Sequence, residues 1–125
     1  PLAGANNECC HNYVLFDNKT DPLLAIPYDF DQSGFVNAPY AEPNERLGIK
    51  SVRQRVYRGR CANNKYIPGS ISQFKAGRDE ILALIAEQEG MDSGVRKDLT
   101  RYVNDFYKII DKPRSTERKI VDKCL

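Results

Sequence analysis

No apolar run in this chain of 125 residues approaches the roughly 18 residues that a membrane span requires, so no span is expected. The four cysteines, Cys9, Cys10, Cys61 and Cys124, include no C-x-x-C pair, which argues against zinc. There is no internal repeat and no low-complexity segment, so a solenoid or a tethering tail is not the expectation. Basic residues are scarce at one end. Residues 1–45 hold a single one, Lys19, against seven Asp and Glu, whereas residues 46–125 hold 18 Lys and Arg against 10 acids. A basic half beside an acidic half suits an anionic phosphate substrate, and it equally suits helices with solvated outer faces. Nucleic-acid binding would call for a net basic chain with exposed aromatics, and the acids of the first half argue against it.

The length bounds the chain to one domain with room for a core. The opening segment PLAGANNECC has neither strand nor helix pattern, so a piece of a longer protein is expected. The cysteines allow two readings. Two long-range bridges tying Cys9 and Cys10 to Cys61 and Cys124 would imply an oxidising compartment and export. Four buried thiols would imply the cytoplasm.

Periodicity predicts an α+β fold, mainly α: an N-terminal β-hairpin followed by three to four helices. Residues 12–17 and 23–28 are short, apolar and rich in strand formers, with turn residues Asn18 to Pro22 between them. Residues 32–48 read as a long ordered loop of the kind that often carries function. A short helix is predicted from Ser51 to Tyr57, ended by Gly59. The next opens on the capping pattern Ser70-Ile71-Ser72-Gln73 and runs to Gly90, weakened by Gly77. A third spans about Gly94 to Asp111, with Val95, Leu99, Tyr102, Val103, Phe106 and Ile110 in an amphipathic stripe, and Pro113 ends it. A last helix is predicted from about Ser115 to Cys124. The single domain over 1–125 thus divides into a hairpin (1–31), a loop (32–48) and helices (49–125).

Chemistry is suggested at the hairpin ends. Asn12 and Asp29 stand where an amide and a carboxylate can face one point. Magnesium prefers oxygen ligands, and kinase-type sites supply one Asn and one Asp while phosphates complete the shell. An isolated Asp-x-Asp such as Asp29 and Asp31 also forms Asx turns, which is the plain alternative. Among the basic residues, Arg53, Arg55, Arg58 and Arg60 are densest. On a helix, Arg53 and Arg60 would share nearly one face, and the cluster would hold a phosphorylated substrate or pair with Asp29, Asp31 or Glu42. Tyr28, Tyr40 and Tyr57 read as core or loop-packing residues.

The segment HNYVLFD followed by IPYDFDQSG resembles the second half of CotH-type spore-coat kinases and related atypical kinase-like proteins. PYDFDQSGFVNAPYA with LGIKSVRQRVYRGRC is similar to an uncharacterised family of exported bacterial proteins with that lobe near the C-terminus. The resemblance covers roughly residues 6–125 and is strongest over 11–61. It implies the C-terminal lobe segment of a kinase-like phosphotransferase using Mg2+ and ATP. Asn12 would be the metal-binding amide, Asp29 the metal-binding carboxylate and Asp31 a second ligand, with His11 orienting the loop. Arg53 and Arg55 would contact substrate or phosphate. Partners would be nucleotide, a phosphoacceptor and the N-terminal remainder of the same protein. The position of the family's catalytic Asp holds Asn7, and an amide cannot accept the proton of a substrate hydroxyl as a carboxylate does. The glycine-rich loop and phosphate-binding Lys are not in these 125 residues, so this stretch alone is expected not to turn over nucleotide. The alternative is a non-catalytic, pseudokinase-like or structural exported domain, stapled by disulfides, that binds a protein partner through residues 32–48.

Overall fold

The computed structural model describes the backbone of residues 13–16 and 24–27, Lys19, and residues 28–125. Over these residues the chain is mainly helical, with four α-helices. It divides into two compact units, Pro1–Gln54 and Arg55–Leu125.

In the first unit, strands β1 (Tyr13–Phe16) and β2 (Leu24–Pro27) pair antiparallel, with Tyr13 opposite Pro27 and Phe16 opposite Leu24. The register brings the start of β1 and the end of β2 to the same end of the ladder. Pro27 closes β2 because it has no N–H to donate. The segment beyond is held by local bonds. Ser33 N–H donates to the Phe30 carbonyl at 2.9 Å, and Glu42 N–H donates to Gln32 Oε1 at 3.3 Å. A short 3-10 turn, Glu45–Leu47, is capped by Asn44, whose side chain accepts from Arg46 N–H. It stops at Gly48, whose φ of 62° favours a residue without Cβ.

The predicted helix from Ser51 to Tyr57 does not form. Ser51 Oγ accepts from Arg53 N–H at 3.2 Å, and the Ser51 carbonyl from Gln54 N–H at 3.0 Å. That makes one closed turn, a local side-chain alternative to helix. Beyond it the chain runs without regular structure to Arg60, which is extended.

The second unit starts its helices earlier than the capping pattern predicts. A 3-10 segment, Cys61–Tyr66, feeds directly into α1 (Ile67–Ala76), with Pro68 in the first turn. Pro68 presets φ and lacks the N–H that this turn leaves unpaired anyway. Ser70 is therefore inside the helix, and no Ser70 cap is made. Gly77 breaks the single predicted helix in two, and α2 (Arg78–Glu87) follows at once. The hydrogen bonds pass through the break: Gly77 N–H donates to Gln73, and Ile81 N–H to Gly77. The strongly amphipathic α3 (Ser93–Ile110) begins on Asp92, whose carboxylate accepts from Gly94 and Val95 N–H at 2.8 and 3.2 Å. Pro113 opens α4 (Pro113–Lys119), and a 3-10 turn, Val121–Lys123, follows.

The core is Ile85, Leu99, Tyr107 and Ile110, with Tyr107 only 2 % exposed. Its hydroxyl donates to the Phe74 carbonyl at 3.0 Å. The Arg78 guanidinium lies 4.1 Å from its ring centre and reaches both Asp111 oxygens at 2.7 and 2.6 Å. Phe74 meets Phe106 edge to face at 5.1 Å. Arg96 closes the other end. Its guanidinium donates to the carbonyls of Ile85, Ala86 and Gln88, which the end of α2 leaves unpaired, and to that of Met91 in the turn beyond.

Cys61 is bonded to Cys124 across 63 residues. The predicted bridges from Cys9 and Cys10 to these two cysteines are thereby corrected: both distal cysteines take each other, because the chain ends of the second unit meet. Cys9 and Cys10 lie outside the described residues. Arg96→Ala is expected to lower the unfolding free energy by about 2 kcal/mol, the scale of losing hydrogen bonds from a charged group, read by denaturant unfolding. Replacing Cys61 and Cys124 together by Ser is expected to cost about 4 kcal/mol by loop entropy, read the same way against the oxidised protein.

Candidate functional site

Asp29 lies two residues beyond the end of β2 and has a left-handed backbone, φ 60°. Asp tolerates that conformation better than most residues. Hydrogen bonding with the Asp29 side chain is the largest influence holding the Asp31 carboxyl below its ordinary range. Desolvation opposes it, while hydrogen bonds from Gln32 and the Tyr40 hydroxyl reinforce it. Gln32 Nε2 stands 3.5 Å from Asp31 Oδ2. The carboxyls of Asp29 and Asp31, two residues apart at a turn open to solvent, are hard oxygen donors of the kind magnesium takes. Among the described residues no group of three or more His, Cys, Asp or Glu gathers for a metal ion. Asn12, His11 and Asn7 lie outside the described residues.

The two predicted phosphate contacts fall in different units. Arg53 is half-buried in the turn that ends the first. Arg55 opens the second, where its guanidinium lies 3.8 Å from the Tyr102 ring centre and donates to the Tyr102 carbonyl. The predicted helical face shared by Arg53 and Arg60 does not exist, since residues 55–60 are not helical. Two of the three tyrosines are corrected as well. Tyr28 and Tyr40 are exposed, Tyr40 by 65 %, and Tyr57 is half-buried. Tyr40 stays at the surface, where its hydroxyl can reach Asp31.

The second unit also holds a concavity that the sequence did not signal as a site. Phe74, Ile81, Val103 and Phe106, with Arg55 and Tyr102, line a cleft of 260 Å3. It is smaller than the about 300 Å3 at which small-molecule pockets usually begin. The stripe on α3 carried the signal for its apolar wall, but the cation stacked on Tyr102 comes from 47 residues away. Along α3, Lys108 Nζ pairs with Asp105 at 2.7 Å, and Arg101 pairs with Asp98.

No family model, curated protein or solved structure matches this chain.

The hydrogen bond from Lys108 is the largest influence lowering the Asp105 carboxyl below its ordinary range; desolvation opposes it, and the charges of Lys108, Arg55 and Arg101 add to the lowering. A depressed folded-state value means that the contribution is present above the unfolded value of about 3.9 and is lost as pH falls through the folded one. Asp105→Asn is therefore expected to lower the unfolding midpoint at pH 7 and to lose that difference as the medium is acidified below the ordinary carboxylate range. Denaturant titrations of both proteins across pH 2–7 check this.

Proposed function

We propose that this chain is the nucleotide-metal segment of a kinase-like phosphotransferase, the C-terminal part of a CotH-like exported protein. The observation that carries the reading is the place of Asp29, with Asp31 two residues on, just past the end of β2. β1 begins at that same end of the ladder, directly after Asn12 in sequence. In this reading Asn12 and Asp29 hold Mg2+ and, through it, the phosphates of ATP. Asp31 accepts from metal-bound water or binds the metal directly. Magnesium would supply charge neutralisation between the phosphates. The proton acceptor and the phosphate clamp come from the rest of the protein, since Asn7 replaces the family's acid, so the isolated chain is inactive.

A second reading has its own support. Phe35, Val36 and Tyr40 in the 32–48 loop are 43, 50 and 65 % exposed. Large apolar side chains exposed within one loop suit a protein partner. In this reading the chain is a non-catalytic exported domain stapled by a disulfide, and the loop is its contact surface.

Magnesium-dependent ATP binding by the full-length protein separates the two. Asp29→Ala is expected to weaken it at least tenfold, with Asp31→Ala intermediate. Undiminished binding in Asp29→Ala overturns the metal assignment. An absence of nucleotide binding in the wild type, with partner capture lost in Phe35→Ser/Tyr40→Ser, supports the second reading.

A further inference from the structure

The cleft of the second unit is built across the break between α1 and α2. Phe74 comes from α1 and Ile81 from α2, on either side of Gly77, while Val103 and Phe106 come from α3. Phe74 stands edge to face on Phe106 yet stays 47 % exposed. Tyr107 completes the apolar lining, and its hydroxyl is spent on the Phe74 carbonyl. A cleft of 260 Å3 has room for one ring or a short acyl chain, since an apolar cavity of about 150 Å3 already takes a benzene.

Arg55 is the one charged residue in this lining. Its guanidinium lies 3.8 Å from the Tyr102 ring centre and donates to the Tyr102 carbonyl. A guanidinium has five N–H donors. That of Arg55 makes no second hydrogen bond and no ion pair among the described residues. Arg78, also stacked on a tyrosine, is instead closed by both Asp111 oxygens. Asp105 is near enough to feel the charge of Arg55, but its carboxylate is held by Lys108 at 2.7 Å. Other cations of the unit also lack acids. Arg55 differs from them in lining a cavity and in being held flat on a ring, with its side chain still exposed.

We infer that this cleft binds a small organic acid, with its apolar group against Phe74, Ile81, Val103 and Phe106 and its carboxylate on Arg55. Parallel N–H groups on a guanidinium match the two oxygens of a carboxylate. One cation balances one negative charge. A phosphate monoester would bring about two charges to that single cation beside an apolar wall, at a larger desolvation cost. The stack on Tyr102 restricts the arginine before a ligand arrives, so less freedom is lost on binding. The cleft belongs wholly to the second unit, and its ligand requires neither magnesium nor nucleotide.

Calorimetric titration of the full-length protein at pH 7 with phenylbutyrate, and with its neutral amide, tests this. The acid is expected to bind at least tenfold more tightly than the amide. Arg55→Gln is expected to remove that preference by weakening the acid alone, and unchanged amide binding shows that its cleft is intact. Val103→Phe, which fills the cleft, is expected to weaken acid and amide alike at least fivefold while its helical circular dichroism persists. Lys97→Gln removes an exposed charge elsewhere on α3 and is expected to change the affinity for the acid less than threefold. Equal or absent binding of acid and amide by the wild type overturns the inference. So does a preference that survives in Arg55→Gln, an equal loss of both ligands there, or undiminished binding in Val103→Phe. Asp29→Ala is expected to bind the acid normally, so failure here is distinguishable from failure of the magnesium reading.

Discussion

Tyr107 is the point through which the second unit is organised. Its ring is almost wholly buried, yet its hydroxyl needs a partner, and a buried hydroxyl without one would cost about 1–3 kcal/mol. The Phe74 carbonyl near the end of α1 supplies it. Just past Gly77, Arg78 covers the ring and ties down to Asp111 at the end of α3. Had α1 and α2 run as one straight helix, Phe74 and Arg78 would be a single turn apart on one face. The break at Gly77 lets one side supply an acceptor to Tyr107 and the other a cation. The weak point of the predicted long helix is therefore where the helix pair meets α3.

The same unit is closed at both ends by groups that look ordinary in sequence. Arg96 sits on α3, where a surface arginine would normally be solvated. It points instead at the open carbonyls of α2, which the left-handed turn at Gly90 leaves behind. At the other end, Cys61 and Cys124 come together because the extended run at 59–61 pairs with Leu125. Neither pairing follows from local pattern. Arg96 finds its carbonyls 5 to 11 residues away, and the bridge spans 63.

The basic cluster of residues 53–60 shows how a correct composition can mislead about geometry. The sequence predicts a helix over Ser51 to Tyr57, which would hold Arg53 and Arg55. A serine-anchored turn ends any helix there, and Arg55 is drawn onto the Tyr102 ring. Arg58 and Arg60 are left exposed on irregular chain. The acidic pair behaves differently. Asp29 and Asp31 are two residues apart, and the backbone at Asp29 is left-handed. Local turn chemistry and the proposed metal site draw on the same turn.

What the sequence determined by itself is local: the stripe that makes α3, the proline that separates it from α4, the loop character of 32–48 and the nearness of Asp29 to Asp31. Each follows from spacings of two to four residues, where backbone geometry alone sets which side chains meet. The tertiary structure decided where α1 starts and why it breaks, which cysteine takes which, and which arginines remain without acids. Those outcomes depend on buried groups finding partners far along the chain, and burial is a property of the packed unit rather than of any window of sequence.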